Sequence, residues 1–121
     1  MHNSKIKKKI ITLIGPTACN KTSTAVHLIK KFPISIIGVD SVQIYKRFNI
    51  GSAKPPKEIL EKYKHHLVDS ADPENIFSVK DFYDQAYRIV MQAHSNNRIP
   101  LLVGGTMMYF NALFKLSLIH I

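Results

Sequence analysis

The sequence is poor in cysteine, in acidic residues and in long apolar runs. Its single cysteine, Cys19, excludes a disulfide framework within the chain and favours a reducing cytoplasm as its compartment. The longest apolar stretches, such as Ile10–Ile14 and Ile34–Val39, are strand-sized and far short of the roughly 18 residues that a membrane span requires. The basic N-terminus leads straight into a glycine-containing loop without a small-residue cleavage site, so we expect neither a signal peptide nor membrane insertion.

Repeats, low-complexity tracts and linkers rich in Pro, Gly or Ser are also missing from the sequence. At 121 residues and 45% hydrophobic content, the chain is long enough for one domain with a core. It is too short for two ordinary domains. We therefore expect residues 1–121 to belong to one domain.

Acidic residues number only 8 against 17 lysines and arginines, which gives a formal net charge of +9. Such an excess favours polyanionic partners, of which nucleic acid is the commonest. A lysine-rich proteome explains the same excess, because AT-rich genomes enrich Lys, Ile and Asn. Charge alone does not decide between the two explanations.

The sequence does contain an alternation of short β-branched runs and helical patterns. Pro33 ends the first helical pattern, and Ser78 with Asp81 forms a capping box before a longer one. This order indicates an α/β fold with a mainly parallel sheet and flanking helices. The predicted strands are Lys9–Ile14, Ile34–Val39, His66–Val68 and Ile99–Val103, and the predicted helices are Lys21–Lys31, Lys57–Lys64, one from Val79 to Asn96-Asn97, and one beginning near Met107.

Polar or glycine-rich segments follow three of these strands. Ligands of such sheets bind beyond the carboxyl ends of the strands, so topology alone should bring the three segments together. The sequence therefore predicts a binding site formed by the loop after the first strand, by Asp40-Ser41, and by Gly104-Gly105-Thr106.

The first of these segments resembles a phosphate-binding P-loop, G-x-x-x-x-G-K-[ST], between a strand and a helix. Backbone N–H groups and the helix dipole would hold phosphate oxygens, Lys21 would supply a cation, and the Thr22 hydroxyl would reach Mg²⁺. Asn20 replaces the second glycine of this pattern. Among residues other than glycine, Asn tolerates a positive φ best. A plain strand-to-helix turn is the alternative. The candidate residues are Gly15, Pro16, Thr17, Ala18, Cys19, Asn20, Lys21 and Thr22.

Besides the loop, five further segments stand in one order and spacing. They are Asp40-Ser41-Val42-Gln43-Ile44-Tyr45, Ile50-Gly51-Ser52-Ala53-Lys54-Pro55, His65-His66-Leu67-Val68-Asp69 with Asp72-Pro73, Phe77-Ser78-Val79-Lys80-Asp81-Phe82, and Ile99-Pro100 through Gly104-Gly105-Thr106-Met107-Met108-Tyr109-Phe110. Together with the loop, these segments resemble the tRNA dimethylallyltransferase family, also called tRNA isopentenyltransferases. The match runs from about Ile10 to Lys115.

The resemblance implies a cytoplasmic transferase with a P-loop NTPase-like fold. Such an enzyme moves a dimethylallyl group from dimethylallyl diphosphate to N6 of the tRNA adenosine next to the anticodon, with Mg²⁺ assisting. The loop would bind the prenyl diphosphate, not necessarily ATP, and the full-length family implies a monomer. By the same match Asp40 is the base, Lys21 and Thr106 complete the catalytic set, and the tRNA contacts are Asp40, Ser41, Val42, Gln43 and Thr106.

Other interpretations of these residues stay open. Asp40 could serve only as a turn or N-cap residue, and Gly104-Gly105 could be a simple turn. His65 and His66 could begin a strand or lie at the surface, since no other clustered ligand supports a zinc site. At the level of the whole chain, a P-loop small-molecule kinase and an inactive tRNA-binding fragment are the alternative functions.

The match covers well under half of a typical family member. We expect the chain to represent a truncated P-loop core, without the later strands, the helical insertion that clamps tRNA and the distal basic residues. An exposed sheet edge would follow. Activity of the 121-residue chain alone is therefore an open question.

Overall fold

The computed structural model describes residues 9–15, 21–46 and 54–115. In this part of the chain, four strands form one sheet in which every pair is parallel. The strands are β1 (Ile11–Ile14), β2 (Ile34–Val39), β3 (His65–His66) and β4 (Ile99–Gly104), in the spatial order β1-β4-β2-β3. The helices are α1 (Lys21–Lys31), α2 (Lys57–Lys62), α3 (Val79–Ser95) and α4 (Met107–Lys115). The predicted α/β fold with a parallel sheet and flanking helices is confirmed.

The central strands β2 and β4 are paired along their full length, from Ile34 opposite Ile99 to Val39 opposite Gly104. Both are apolar runs because helices cover both faces of the sheet. Ile37, Val39 and Leu102 pack on the face that α3 and α4 cover. Ile34, Ile36 and Leu101 pack on the other face, against Ala25 of α1. The alternation of side chains along each strand thus divides the core into two layers.

Helix α3 begins with the predicted capping box. The Ser78 hydroxyl accepts a hydrogen bond from the Asp81 backbone N–H (3.0 Å), and the Asp81 carboxylate accepts one from the Ser78 N–H (2.9 Å). Hydrogen bonding of the carboxylate to Ser78, chiefly to its backbone N–H, holds the pKa of Asp81 below its usual value. The helix then buries Phe82, which stacks on Tyr109 of α4 with ring centroids 4.2 Å apart.

The predicted strand His66–Val68 is wrong in its position. The strand lies one residue earlier, at His65–His66, and Leu67 leaves the extended conformation with a φ of 61°. Leu67 and Val68 are nevertheless buried, at 5% and 8% exposure, so their apolar character reflects packing in a turn. Other bounds shift by one or two residues: β1 begins at Ile11, β4 continues to Gly104, and α2 ends at Lys62.

Among the described helices, none combines the length and the apolar character needed to cross a membrane. Strands β1 and β3 lie at the two edges of the described sheet.

Candidate functional site

The sheet order places the carboxyl ends of β1, β4 and β2 side by side. The Gly15 N–H donates to the Gly104 carbonyl (3.2 Å), which joins the end of β1 to the end of β4. The Thr106 N–H donates to the Val39 carbonyl (3.2 Å), which joins the segment after β4 to the end of β2. The three segments that the sequence assigns to one site therefore meet at one edge of the sheet.

Gly104 and Gly105 make this close approach of backbones possible. A Cβ on Gly104 would lie 2.0 Å from the Val39 carbonyl oxygen, and a Cβ on Gly105 would lie 2.9 Å from the Gly15 carbonyl oxygen. Both distances are shorter than a carbon–oxygen contact allows. The glycines therefore act at the contact between three backbone segments, a role beyond that of a simple turn.

Lys21 and Thr22 form the start of α1, directly beyond the end of β1. The Lys21 ammonium donates to the Gly15 carbonyl at 2.6 Å, so its side chain extends toward the residue that follows β1. The other predicted loop residues lie outside the described part of the chain, namely Pro16, Thr17, Ala18, Cys19 and Asn20. The structure thus fixes both ends of the candidate P-loop, and the role of Asn20 stays a prediction.

Asp40 follows β2 and caps the turn behind it. One carboxylate oxygen, Oδ1, accepts hydrogen bonds from the backbone N–H groups of Val42 (2.9 Å) and Gln43 (3.0 Å). The turn-forming role that residue type alone suggested for Asp40 is therefore confirmed. Among the described residues no hydrogen bond to Oδ2 is found, and Asp40 also lines the cavity described below. Capping and chemistry can thus use different oxygens of one carboxylate.

Thr106 connects the segment after β4 to the segment after β2. Its hydroxyl oxygen accepts a hydrogen bond from the Ser41 backbone N–H at 2.9 Å and lies 3.4 Å from the Ser41 hydroxyl. Val42 beside them is 47% exposed, whereas Gln43 is half-buried. Thr106 and the residues from Asp40 to Gln43 therefore form one hydrogen-bonded unit at the rim of the site.

A cavity of about 40 Å³ lies at this edge, with room for a few water molecules. It is too small for a whole substrate, so the described residues form one part of a site. Ser41, Val42 and Thr106 do not line it. Its polar side chains are a cation, a hydroxyl, a carboxylate, an amide and an imidazole, from Lys21, Thr22, Asp40, Gln43 and His65.

His65 is the cavity residue that sequence reasoning missed, because it was assigned only to a strand start or to the surface. Its Nδ1 lies 2.7 Å from the Tyr63 carbonyl oxygen, so Nδ1 carries a proton and donates it, which leaves Nε2 as an acceptor in the neutral ring. Burial lowers the pKa of His65, and the bond to the Tyr63 carbonyl opposes this only in part. The sequence carries no signal that places it here, because His65 is the first residue of a two-residue strand, which has no periodicity from which its bounds can be read.

Metal-ligating clusters of three or more His, Cys, Asp or Glu side chains are not found in the described part of the chain.

Comparison with known proteins now decides the family. Residues 43–119 match the family model described as IPP transferase. The chain belongs to the IPP transferase family. Among curated members, the tRNA dimethylallyltransferase of Dichelobacter nodosus is 48% identical over 106 residues, which are 88% of this chain and 33% of that protein. The tRNA dimethylallyltransferase of Nitrosomonas europaea is 47% identical over 103 residues, 85% of this chain and 32% of that protein.

Solved structures of IPP transferases share the fold. The full-length tRNA isopentenylpyrophosphate transferase of Bacillus halodurans is similar with a TM-score of 0.83 and 39% identity, over 94% of this chain and 38% of that one. A eukaryotic dimethylallyltransferase acting on tRNA gives a TM-score of 0.80 and 30% identity, over 87% and 26%. The family resemblance is thereby confirmed. The chain spans about a third of the length of the curated relatives it matches.

Proposed function

We propose that this protein transfers a dimethylallyl group from dimethylallyl diphosphate to N6 of the adenosine 3′-adjacent to the anticodon in tRNA. The observation that carries the proposal is that Lys21 and Asp40 line the same cavity. A cation and a carboxylate line one cavity at the carboxyl edge of a parallel sheet, in a chain of the IPP transferase family. Lys21 suits the diphosphate that departs, and Asp40 suits the amine that must lose a proton.

The diphosphate end of the site is assigned to the start of α1. Unpaired N–H groups and the positive end of the helix dipole favour a phosphate at a helix N-terminus. Lys21 adds a full positive charge there, and its ammonium already faces the Gly15 carbonyl at the loop entrance. Negative charge develops on the diphosphate as its bond to the allylic carbon breaks, so these groups stabilise the transition state more than the ground state.

Mg²⁺ is the metal that we assign to this end of the site. The residues present fit it, since the Thr22 hydroxyl offers an oxygen atom on the cavity that Lys21 also lines. Protein sites for Mg²⁺ usually contribute one or two oxygen ligands and leave the rest to phosphate and water. When bound, the ion would neutralise charge on the diphosphate, with Thr22 as the protein residue that we expect to hold it.

Asp40 is assigned as the general base. The adenine N6 amine forms a bond to the allylic carbon while the bond from that carbon to diphosphate breaks. The proton lost from N6 passes to the carboxylate through Oδ2, because Oδ1 is engaged by the Val42 and Gln43 N–H groups. The adenosine must leave its stack to reach Asp40.

The tRNA contact is assigned to Asp40, Ser41, Val42, Gln43 and Thr106. The exposed Val42 side chain offers an apolar surface at the rim of the site. The hydrogen bond from the Ser41 N–H to the Thr106 hydroxyl holds the segment after β2 against the segment after β4. The net charge of +9 supports a nucleic-acid partner through phosphate contacts. The cytoplasm is the compartment proposed, since the single cysteine points to a reducing environment.

The test is transfer of a labelled dimethylallyl group to unmodified tRNA in the presence of Mg²⁺. Asp40→Asn should lower the transfer rate by about 100- to 10,000-fold, the usual contribution of a positioned base, with little change in diphosphate binding. The Asn amide oxygen can still accept the Val42 and Gln43 bonds, so the turn should persist. Asp84→Asn is the control, because Asp84 is an exposed carboxylate on α3 that pairs only with Lys80 among the described residues.

The assay is run with the 121-residue chain and with a chimera in which the chain replaces the matching third of the Dichelobacter nodosus relative. Transfer by the chimera that depends on Asp40 supports the proposal even if the chain alone is slow. Phosphorylation of a small molecule by ATP would instead favour a kinase. Binding of tRNA without transfer by either protein, unchanged in Asp40→Ala, would favour a non-catalytic binder.

A further inference from the structure

Lys54 is a buried lysine outside the residues assigned above. Its side chain is 5% exposed, although lysine is among the residues least often buried. Removing an ammonium group from water is costly unless hydrogen bonds and an opposite charge replace the solvent. The partners of Lys54 therefore indicate why the protein keeps a lysine there.

These partners lie on two different loops at the carboxyl edge of the sheet. The Lys54 ammonium donates to the Tyr45 carbonyl at 2.5 Å and to the Asp69 carboxylate at 3.1 Å. Tyr45 belongs to the loop after β2 (residues 40–46, the β2 loop), and Asp69 belongs to the loop after β3 (residues 67–71, the β3 loop). One cation thus joins the β2 loop to the β3 loop.

The two loops are also connected through their backbones. The Asp69 N–H donates to the Gln43 carbonyl (2.9 Å), the Ser70 N–H to the Ile44 carbonyl (2.8 Å), and the Lys46 N–H to the Ala71 carbonyl (2.8 Å). Asp69 accomplishes this with a φ of 56°, a left-handed conformation that is unfavourable for most residues. The Lys54 ammonium contacts the carboxylate of this same residue.

The β2 loop carries Asp40 at its start and Gln43 at its middle, and both side chains line the cavity. A carboxylate that accepts a proton must lie within hydrogen-bond reach of its donor, and a displacement of about 1 Å can reduce the rate about 100-fold. We propose that Lys54 is a positioning residue, which fixes the β2 loop against the β3 loop so that Asp40 faces the reacting amine. This assignment rests on the function proposed above.

The first test uses the 121-residue chain and needs no activity. In Lys54→Met, amide hydrogen exchange at Gln43, Asp69 and Ser70 should be about tenfold faster, as expected for loss of a charge-assisted hydrogen bond that closes the loops. Exchange in the central strands β2 and β4 should be unchanged. Lys54→Arg should restore part of the protection. Lys57→Met is the matched control, because it removes the same charge at an exposed lysine three residues after Lys54.

The second test is the prenyl-transfer assay. Lys54→Met should lower kcat about 10- to 100-fold while KM for dimethylallyl diphosphate changes little, because the diphosphate residues lie on α1. Lys54→Arg should recover much of kcat, whereas Lys57→Met should resemble the unmodified chain. A rise in KM without a fall in kcat would overturn the positioning role and assign Lys54 to binding.

The two tests separate the two proposals. Unchanged exchange in Lys54→Met would overturn the role of Lys54, whatever the enzyme does. Exchange could instead be faster in Lys54→Met while neither the chain nor the chimera transfers a prenyl group. That result would support the contact between the two loops but reject the proposed function, and with it the role of Lys54 in catalysis.

Discussion

At the scale of single residues, Asp40 and His65 show how far residue type leads. Aspartate after a strand is common as a turn former, and Asp40 does form the turn through Oδ1. Its place on the cavity follows from parallel topology, which the sequence pattern supplies through alternating strands and helices. His65 could not be assigned in that way, because a two-residue strand has no periodicity from which to read its end.

The buried environment of His65 predicts a specific pH dependence. Burial lowers its pKa in the folded chain below the usual value of about 6.5, so the unfolded chain binds protons more readily in the window just below that value. The stability contributed by neutral His65 is present above the unfolded pKa and is lost as the pH falls through this window. Urea unfolding at pH 7.5 and pH 5.5 measures the effect.

His65→Asn should make the loss of stability between these pH values smaller, because asparagine does not titrate and its amide N–H can replace the bond to the Tyr63 carbonyl. His66, whose pKa is also lowered by burial and by nearby cations, should account for part of what remains. His27→Asn is the control, since His27 is exposed on α1. An identical pH dependence in His65→Asn and the unmodified chain would contradict the prediction.

At the scale of elements, local sequence signals predicted the ends of some helices and strands correctly and failed for others. Helix α1 and strand β2 have the predicted bounds, and Pro33 explains why α1 ends and β2 begins where they do, since it separates a helical pattern from a β-branched run. The strand predicted at His66–Val68 fails at Leu67, whose left-handed φ has no local signal in a leucine. That conformation depends on packing, since Val68 fills the space beside Gly38, where an added Cβ would lie 2.5 Å from its side chain.

The capping box of α3 is an element-scale feature with a measurable energy. Ser78→Ala removes the hydroxyl that accepts the Asp81 N–H, so unfolding should require about 1 kcal/mol less free energy. Ser95→Ala at the other end of the helix removes a bond to the Gln92 carbonyl and should stay within about 0.5 kcal/mol. Equal effects of the two substitutions in urea unfolding would show that the box does not stabilise the start of α3.

At the scale of the whole molecule, the described sheet is covered on both faces, so its central strands belong to a closed core. The site lies at one edge of that core, where backbone contacts at Gly15, Gly104 and Val39 fix its geometry. The sequence predicted this arrangement because parallel α/β topology determines which loops meet. It could not predict the Lys54 contact, since the partners of a lysine depend on how two loops pack.

The net charge of +9 leaves two explanations, a nucleic-acid partner or a lysine-rich composition, and salt dependence distinguishes them. Binding through phosphate contacts releases counterions, so the logarithm of the tRNA association constant should fall linearly with the logarithm of salt concentration. If about three phosphates are contacted, the slope should be about −2 or steeper, since each contact adds about −0.7 to −0.9.

Asp40→Asn should leave that slope unchanged, because a base acts on the adenine and not on the phosphates. Replacing a lysine that contacts a phosphate should reduce the slope by about 1, equally for every tRNA sequence. Binding that is independent of salt, or equally weak for tRNA and an uncharged polymer, would assign the lysines to composition alone.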